Sequence, residues 1–352
     1  MKELPNLTQL RFFLALFVLL FHLPEYCINR GFPFYNELPL FFKGKEAVLV
    51  FFSLSGFLII RGLIIEKEKN GFINLKRFYF RRILRIFPLY YLILCFGFIF
   101  YQVIAPHFGY NIQNDYNLTF GILLGATFFA NVLATYKPGG IIEILWSIGI
   151  EEQFYLFVAP ILYKVRIKWI LGFLIVFTII YFLLFHSNFE NLSFLKKYSM
   201  YFYHFSFSGI IACLSLKFKM NLHYSFKIIV LSIFCLLFFS NIFVDYFISP
   251  MYNLFCMIFF SIAIWILSLK GIAVFNHNFL HHLGKISYGI YMYHAVMFQL
   301  IGFLYLKFNI TTLISANQSI LLFYSTVIIF TIIISHFSYK HFESYFIKLK
   351  KH

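Results

Sequence analysis

Residues 47–65 read AVLVFFSLSGFLIIRGLII, and residues 66–86 that follow read EKEKNGFINLKRFYFRRILRI. The first stretch is apolar apart from Arg61 and has the roughly 20-residue length needed to cross a bilayer as a helix. The second holds Lys67, Lys69, Lys76, Arg77, Arg81, Arg82 and Arg85. An apolar run that ends in a dense basic segment reads as a membrane span emerging on the cytoplasmic face. That pairing decides the fold class: an all-α, polytopic transmembrane helical bundle.

Outward from it, apolar runs recur at 10–27, 87–105, 118–135, 145–163, 169–186, 200–216, 228–247, 251–269, 286–306 and 318–337. Further basic clusters at Lys164, Arg166 and Lys168, at Lys217, Lys219 and Lys227, and from Lys340 to Lys351 mark other cytoplasmic segments. An even number of crossings must separate 66–86 from 164–168, yet three runs lie between. The weakest, 118–135, carries Thr119, Gly121, Gly125, Thr127 and Asn131. It is expected to be a re-entrant or interfacial segment, since irregular backbone is tolerated at membrane depth where protein or water covers it. About ten spans then remain, with both termini cytoplasmic, in one integral membrane domain over 1–352. The first run has no small-residue cleavage site after it and reads as a retained span.

Composition agrees. Of 352 residues, 61% are hydrophobic and only 12% charged, with 53 Phe and 25 Tyr; mean hydropathy is +0.82. A soluble domain has roughly 45–50% apolar and about 25% charged residues, so a soluble globule, a disordered chain and a disulfide scaffold are excluded. The net charge of +16, from 29 Lys and Arg against 13 Asp and Glu, falls mostly in cytoplasmic segments, and no nucleic acid is needed to explain it. Cys27, Cys95, Cys213, Cys235 and Cys256 are scattered, without the spacing of a zinc site, so no metal is expected.

Ionisable groups inside spans are costly and point to function. Arg11 and His22 lie about 16 Å apart along the first span, eleven residues being close to three turns, so both look from one face; taken alone, a snorkelling Arg and a His buried for packing is the first reading. Ser53, Ser55 and Gly56 let helices approach in a Phe-rich span, packing being their first role and Ser55 a lesser candidate for a cavity. Arg77, Arg81, Arg82 and Arg85 favour planar, multi-donor recognition of phosphate over simple charge. An ordinary positive-inside stop is the other reading. Glu151, Glu152 and Gln153 follow Trp146 in an apolar run; a carboxylate there suits proton exchange with a histidine. By counting depth, both glutamates fall level with His22. Ser287, Tyr291 and His294 share a helix face and would either line a polar cavity or tie helices together. His186 and His204 lack company and read as structural.

In this order, the segments resemble the acyltransferase-3 family of integral membrane O-acyltransferases, from Arg11 to about residue 300. Arg11-x10-His22 matches one family pattern and Arg82-x-x-Arg85 another; the surroundings of Ser55-Gly56, Trp146 to Tyr155, and Leu283 to His294 match its other signatures. Thr8-Gln9 stands where the family has Asp-Gly, and the chain resembles the stand-alone form. The resemblance implies transfer of an acyl group, usually acetyl, from cytoplasmic acetyl-CoA (acyl-CoA) to a hydroxyl of a cell-surface carbohydrate or its lipid-linked precursor, in a bacterial cell membrane. His22 would be the general base or first acyl acceptor, oriented by Glu151, the catalytic pair. Arg11, Arg82 and Arg85 would bind CoA, with Arg81 in support. Ser55, Glu152, Tyr155, Ser287, Tyr291 and His294 would line the substrate cavity. A glycan or lipid transporter or flippase would use the same buried charges differently.

Overall fold

The structure, a computed structural model, describes residues 3–108, 116–218, 222–272, 275 and 277–349. Its principal elements are α1 (Leu7–Arg30), α2 (Gly44–Asn70), α3 (Leu75–His107), two short helices α4 (Leu118–Ala126) and α5 (Ala130–Ala134), then α6 (Trp146–Lys164), α7 (Ile167–His186), α8 (Phe202–Lys217), α9 (Tyr224–Phe239), α10 (Ser249–Leu269), α11 (Ser287–Lys307) and α12 (Ala316–Lys348). No strand is present among the described residues.

Each of the ten expected runs carries a helix, but fewer satisfy the demands of a crossing. Among the described residues seven are long and apolar enough to span a bilayer: α1, α2, α3, α7, α10, α11 and α12. The pair formed by 190–197 and α8, bent by 73°, is either a broken eighth span or a re-entrant loop. The other two differ for separate reasons. At about 1.5 Å per residue, α9 is shorter than the ~30 Å hydrocarbon core, and α6 carries Glu151, Glu152 and Gln153. The weak run at 118–135 is not one long helix: α4 and α5 are separated by a break at which Phe128 takes a left-handed φ of 62°.

Burial explains the arrangement. Helix α2 is apolar around its whole circumference and is packed on several sides, by α1, α8 and α10. Its contact with α8 is close because Gly56 has no side chain; a Cβ there would sit 2.3 Å from the Phe205 carbonyl oxygen. Phe52 stacks on Phe205 with ring centroids 4.7 Å apart, and Phe154 of α6 stacks on the same ring at 4.6 Å. Peripheral helices show the opposite pattern: Ile179 and Leu183 of α7 and Leu321 and Phe330 of α12 are exposed, as lipid-facing residues should be.

The basic segments gather at one end. Lys67 Nζ donates to the carbonyls of Leu162, Tyr163 and Val165 at 2.7, 2.9 and 2.6 Å, tying the end of α2 to the turn holding Lys164 and Lys168. The C-terminal turns, Ser344–Lys348, pack on α3, which begins beside Lys76 and Arg77. Lys219 and Lys351 lie outside the described residues. This is called the basic end below.

Candidate active site

At the basic end α3 starts on a side-chain cap: Asn74 Oδ1 accepts from the Arg77 N–H at 2.9 Å, satisfying one of the N–H groups a helix start leaves open. The following turns carry Arg81, Arg82 and Arg85. Arg82 and Arg85, three apart, share one face and line a narrow cavity of about 100 Å³ with Arg11 of α1. The opposite wall is Ser55 of α2, Ser147, Glu151 and Tyr155 of α6, and Ser287, Tyr288 and Tyr291 of α11. The Glu151 carboxylate accepts from Ser55 Oγ at 3.0 Å and from Tyr155 Oη at 2.9 Å. The Arg82 guanidinium lies 5.4 Å from the Tyr155 ring centroid, a cation–π distance. Three guanidinium groups thus converge on a space balanced by one carboxylate.

Arg81 points elsewhere. Its Nη2 is 3.6 Å from Glu66 Oε2, and it does not line the cavity. Glu152 is also outside: its side chain is buried, and Oε1 has no hydrogen-bond partner.

A second cavity, about 400 Å³, is lined by His22, Glu25, Arg30, Tyr101, Glu143, Trp146, His294 and Gln299. His22 Nδ1 is 3.1 Å from Glu25 Oε2, one turn further along α1. The His22 ring stacks on His294, centroids 5.6 Å apart and planes 20° from parallel. His294 is fully buried; its Nδ1 faces the Tyr291 carbonyl while Nε2 has no partner. Glu143, in the turn Gly140–Glu143, accepts from the Gly139 N–H at 3.2 Å. Burial pushes its carboxyl up, against the pull of that N–H.

The carboxylate beside His22 is therefore Glu25. Glu151, expected to orient it, stands in the other cavity with the arginines. The depth count assumed that α6 reaches across the whole membrane. Instead α6 begins at Trp146, whose indole lines the His22 cavity, and Glu151 is about 7.5 Å further along the axis. The layer beyond is occupied by the short elements before α6. Gly149 permits this: a Cβ there would come within 2.6 Å of the Phe128 carbonyl.

A thin partition separates the cavities. Tyr291 Oη bonds Ser147 Oγ at 2.7 Å and donates to the Ile144 carbonyl at 2.9 Å. Ser147 and Tyr291 line the arginine cavity, whereas their near neighbours Trp146 and His294 line the His22 cavity. Of the three residues expected to share a face, Ser287 and Tyr291 thus stand on one side of the partition and His294 on the other. Glu25, Arg30, Glu143 and Gln299 were missed from sequence; for Glu25 the three-residue spacing from His22 on a helix was the available signal.

The family model for the acyltransferase domain matches residues 4–339. The chain is 28% identical over 323 residues to a putative acetyltransferase, ORF330, of Acidianus two-tailed virus, covering 85% of this chain and 84% of that one. It is 29% identical over 172 residues to the peptidoglycan O-acetyltransferase OatA of Listeria monocytogenes, 48% of this chain and 25% of the relative. With the O-acetyltransferase OatA of Staphylococcus aureus the figures are 27% over 157 residues, 44% and 24%. The chain thus spans about a quarter of the length of the OatA proteins it matches. No solved structure matches. With a model match over nearly its whole length, the chain belongs to the acyltransferase-3 family of multi-pass membrane proteins.

Proposed function

We propose that the protein is a membrane O-acyltransferase that moves an acyl group, acetyl in the first instance, from acyl-CoA at the basic end to a carbohydrate hydroxyl in the His22 cavity. The observation that carries this reading is the adjacency of an arginine-lined pocket and a His–carboxylate pair, with the Tyr291–Ser147 contact at their boundary. Arg11, Arg82 and Arg85 share their cavity with a single carboxylate, Glu151, so the excess positive charge there suits an anionic partner. The phosphates of CoA supply one, and guanidinium groups suit them. In this reading the basic end is cytoplasmic, with both termini there.

The arginine cavity is too narrow for the nucleotide. The nucleotide rests at its mouth and the thioester arm enters, with Tyr291 swinging off Ser147 and Ile144 to let the acyl carbon reach the second cavity. There, His22 takes the proton of the acceptor hydroxyl, the oxygen attacks the thioester carbonyl, and the C–S bond breaks as the thiolate leaves and is reprotonated. Glu25 fixes the imidazole orientation and stabilises its cationic form, the role a carboxylate plays behind a histidine base. Glu151 serves the donor side, held by Ser55 and Tyr155 opposite Arg11.

The test is release of free CoA from acetyl-CoA by purified protein given oligosaccharide acceptors, with the O-acetylated product detected by mass. A transporter built on the same cavities would move its substrate without releasing CoA, and that outcome would retire the reading.

A further inference from the structure

Of the two carboxylates lining the His22 cavity, Glu25 holds the histidine and Glu143 has no part in the chemistry above. The position of Glu143 is fixed by the turn that carries it, Gly140–Glu143, which packs on α3. Ile141 and Ile142 are buried, and Ile142 lies over Gly97, where a Cβ would come within 2.7 Å of it. The Ile141 N–H donates to Tyr101 Oη at 3.0 Å. Gly139 takes a left-handed φ of 106°, with the Tyr101 ring so near that a Cβ would lie 2.3 Å from it. The turn is therefore moulded on Tyr101, and Glu143 is left on the cavity wall.

Glu143 Oε1 accepts from the Gly139 N–H, while Oε2 has no partner among the described residues. No cation among the described residues forms an ion pair with it. Burial pushes its carboxyl up; the Gly139 N–H pulls it down, the Glu25 carboxylate adds to the rise, and His22 and Lys137 oppose it. Both members of the reacting pair are thus near enough to feel its charge. Burying a carboxylate is costly unless its oxygens are hydrogen-bonded, so the free oxygen asks for a donor from the ligand. Sugar hydroxyls supply donors, and a hydrogen bond to a charged acceptor is about twice as strong as a neutral one. An acidic sugar would bring a like charge to Glu143 and Glu25. Arg30, a cation of the same wall, donates to Gln299 Oε1 at 3.0 Å.

We propose that Glu143 selects the acceptor: its free oxygen accepts from a second hydroxyl of the sugar whose first hydroxyl is at His22, so the cavity takes uncharged sugars and turns away acidic ones. This rests on the acyl-transfer reading and narrows its acceptor by charge. Glu143 binds the acceptor, and proton transfer stays with His22 and Glu25.

The test measures CoA release from acetyl-CoA by the full chain, given neutral hexose oligosaccharides and oligouronides supplied as free acids or as their isosteric amides. Wild type should use the amide about tenfold better than the acid in kcat/KM, the effect of a like-charge encounter. Glu143→Gln keeps an oxygen for the Gly139 N–H and so preserves the turn. It should raise the KM for neutral acceptors about tenfold, the loss of one charge-assisted hydrogen bond, leave the donor KM unchanged, and bring acid and amide to near-equal use. Glu143→Asp, which keeps the charge, should keep the preference. A merely structural Glu143 would lower turnover of acid and amide alike. Equal use of acid and amide by wild type, or a preference unchanged in Glu143→Gln, overturns the selection while acyl transfer stands. No CoA release with any acceptor overturns acyl transfer and the selection together.

Discussion

The two cavities hold their charges in opposite ways. At the basic end three guanidinium groups face one carboxylate, and that carboxylate is already bonded by Ser55 and Tyr155. Around His22 the imidazole is held by Glu25 and stacks on the ring of His294. An excess of fixed positive charge grips an anion but moves no proton. A histidine beside a carboxylate can move a proton. In the proposed reading this difference separates binding from chemistry, and substitutions on the two sides should change different kinetic parameters.

The largest effect should come from His22→Ala, lowering kcat by about a thousandfold or more while leaving donor binding intact, in the range for a general base. Glu25→Gln should lower kcat by about a hundredfold, with the donor KM unchanged; Glu151→Gln is the control and should act on the donor KM instead. If Glu151→Gln and not Glu25→Gln behaves as the partner of His22, the division between cavities collapses. On the other side, Arg82→Ala or Arg85→Ala should raise the KM for acetyl-CoA by about tenfold each at near-normal kcat, the loss of one charge-assisted hydrogen bond. Tyr291→Phe removes the bonds that close the partition and should change turnover only a few-fold, because the ring still fills the space. The smallest effect belongs to Arg81→Ala, under about threefold, because its partner is the ion pair with Glu66 near the surface.

How far these assignments were legible in the sequence depends on how local each signal is. Arg82 and Arg85 share a face by their spacing, and both line the arginine cavity; Arg11 and His22, near-integral turns apart, line the two different cavities. Gly56 in a Phe-rich run foretold a close helix crossing, and Phe205 supplies the crossing partner. The partner of Glu151 was not legible. Depth read from sequence takes every run to fill the membrane, whereas the short elements before α6 push its start inward. Tertiary packing against the Phe128 carbonyl fixes that offset, and no local pattern encodes it. Glu25 lies in the run 10–27 just after Pro24, and it stands one turn from His22 only because α1 continues through Pro24 to Arg30.

In the proposed mechanism the arginine cavity binds the donor and the His22 cavity performs the transfer. Equilibrium binding of acetyl-CoA to purified wild-type protein, His22→Ala and Arg82→Ala separates the two roles. Affinity should stay at the wild-type level in His22→Ala, even with turnover abolished, and fall about tenfold in Arg82→Ala. Loss of donor affinity in His22→Ala, or unchanged affinity in Arg82→Ala, means that the roles are not divided in this way.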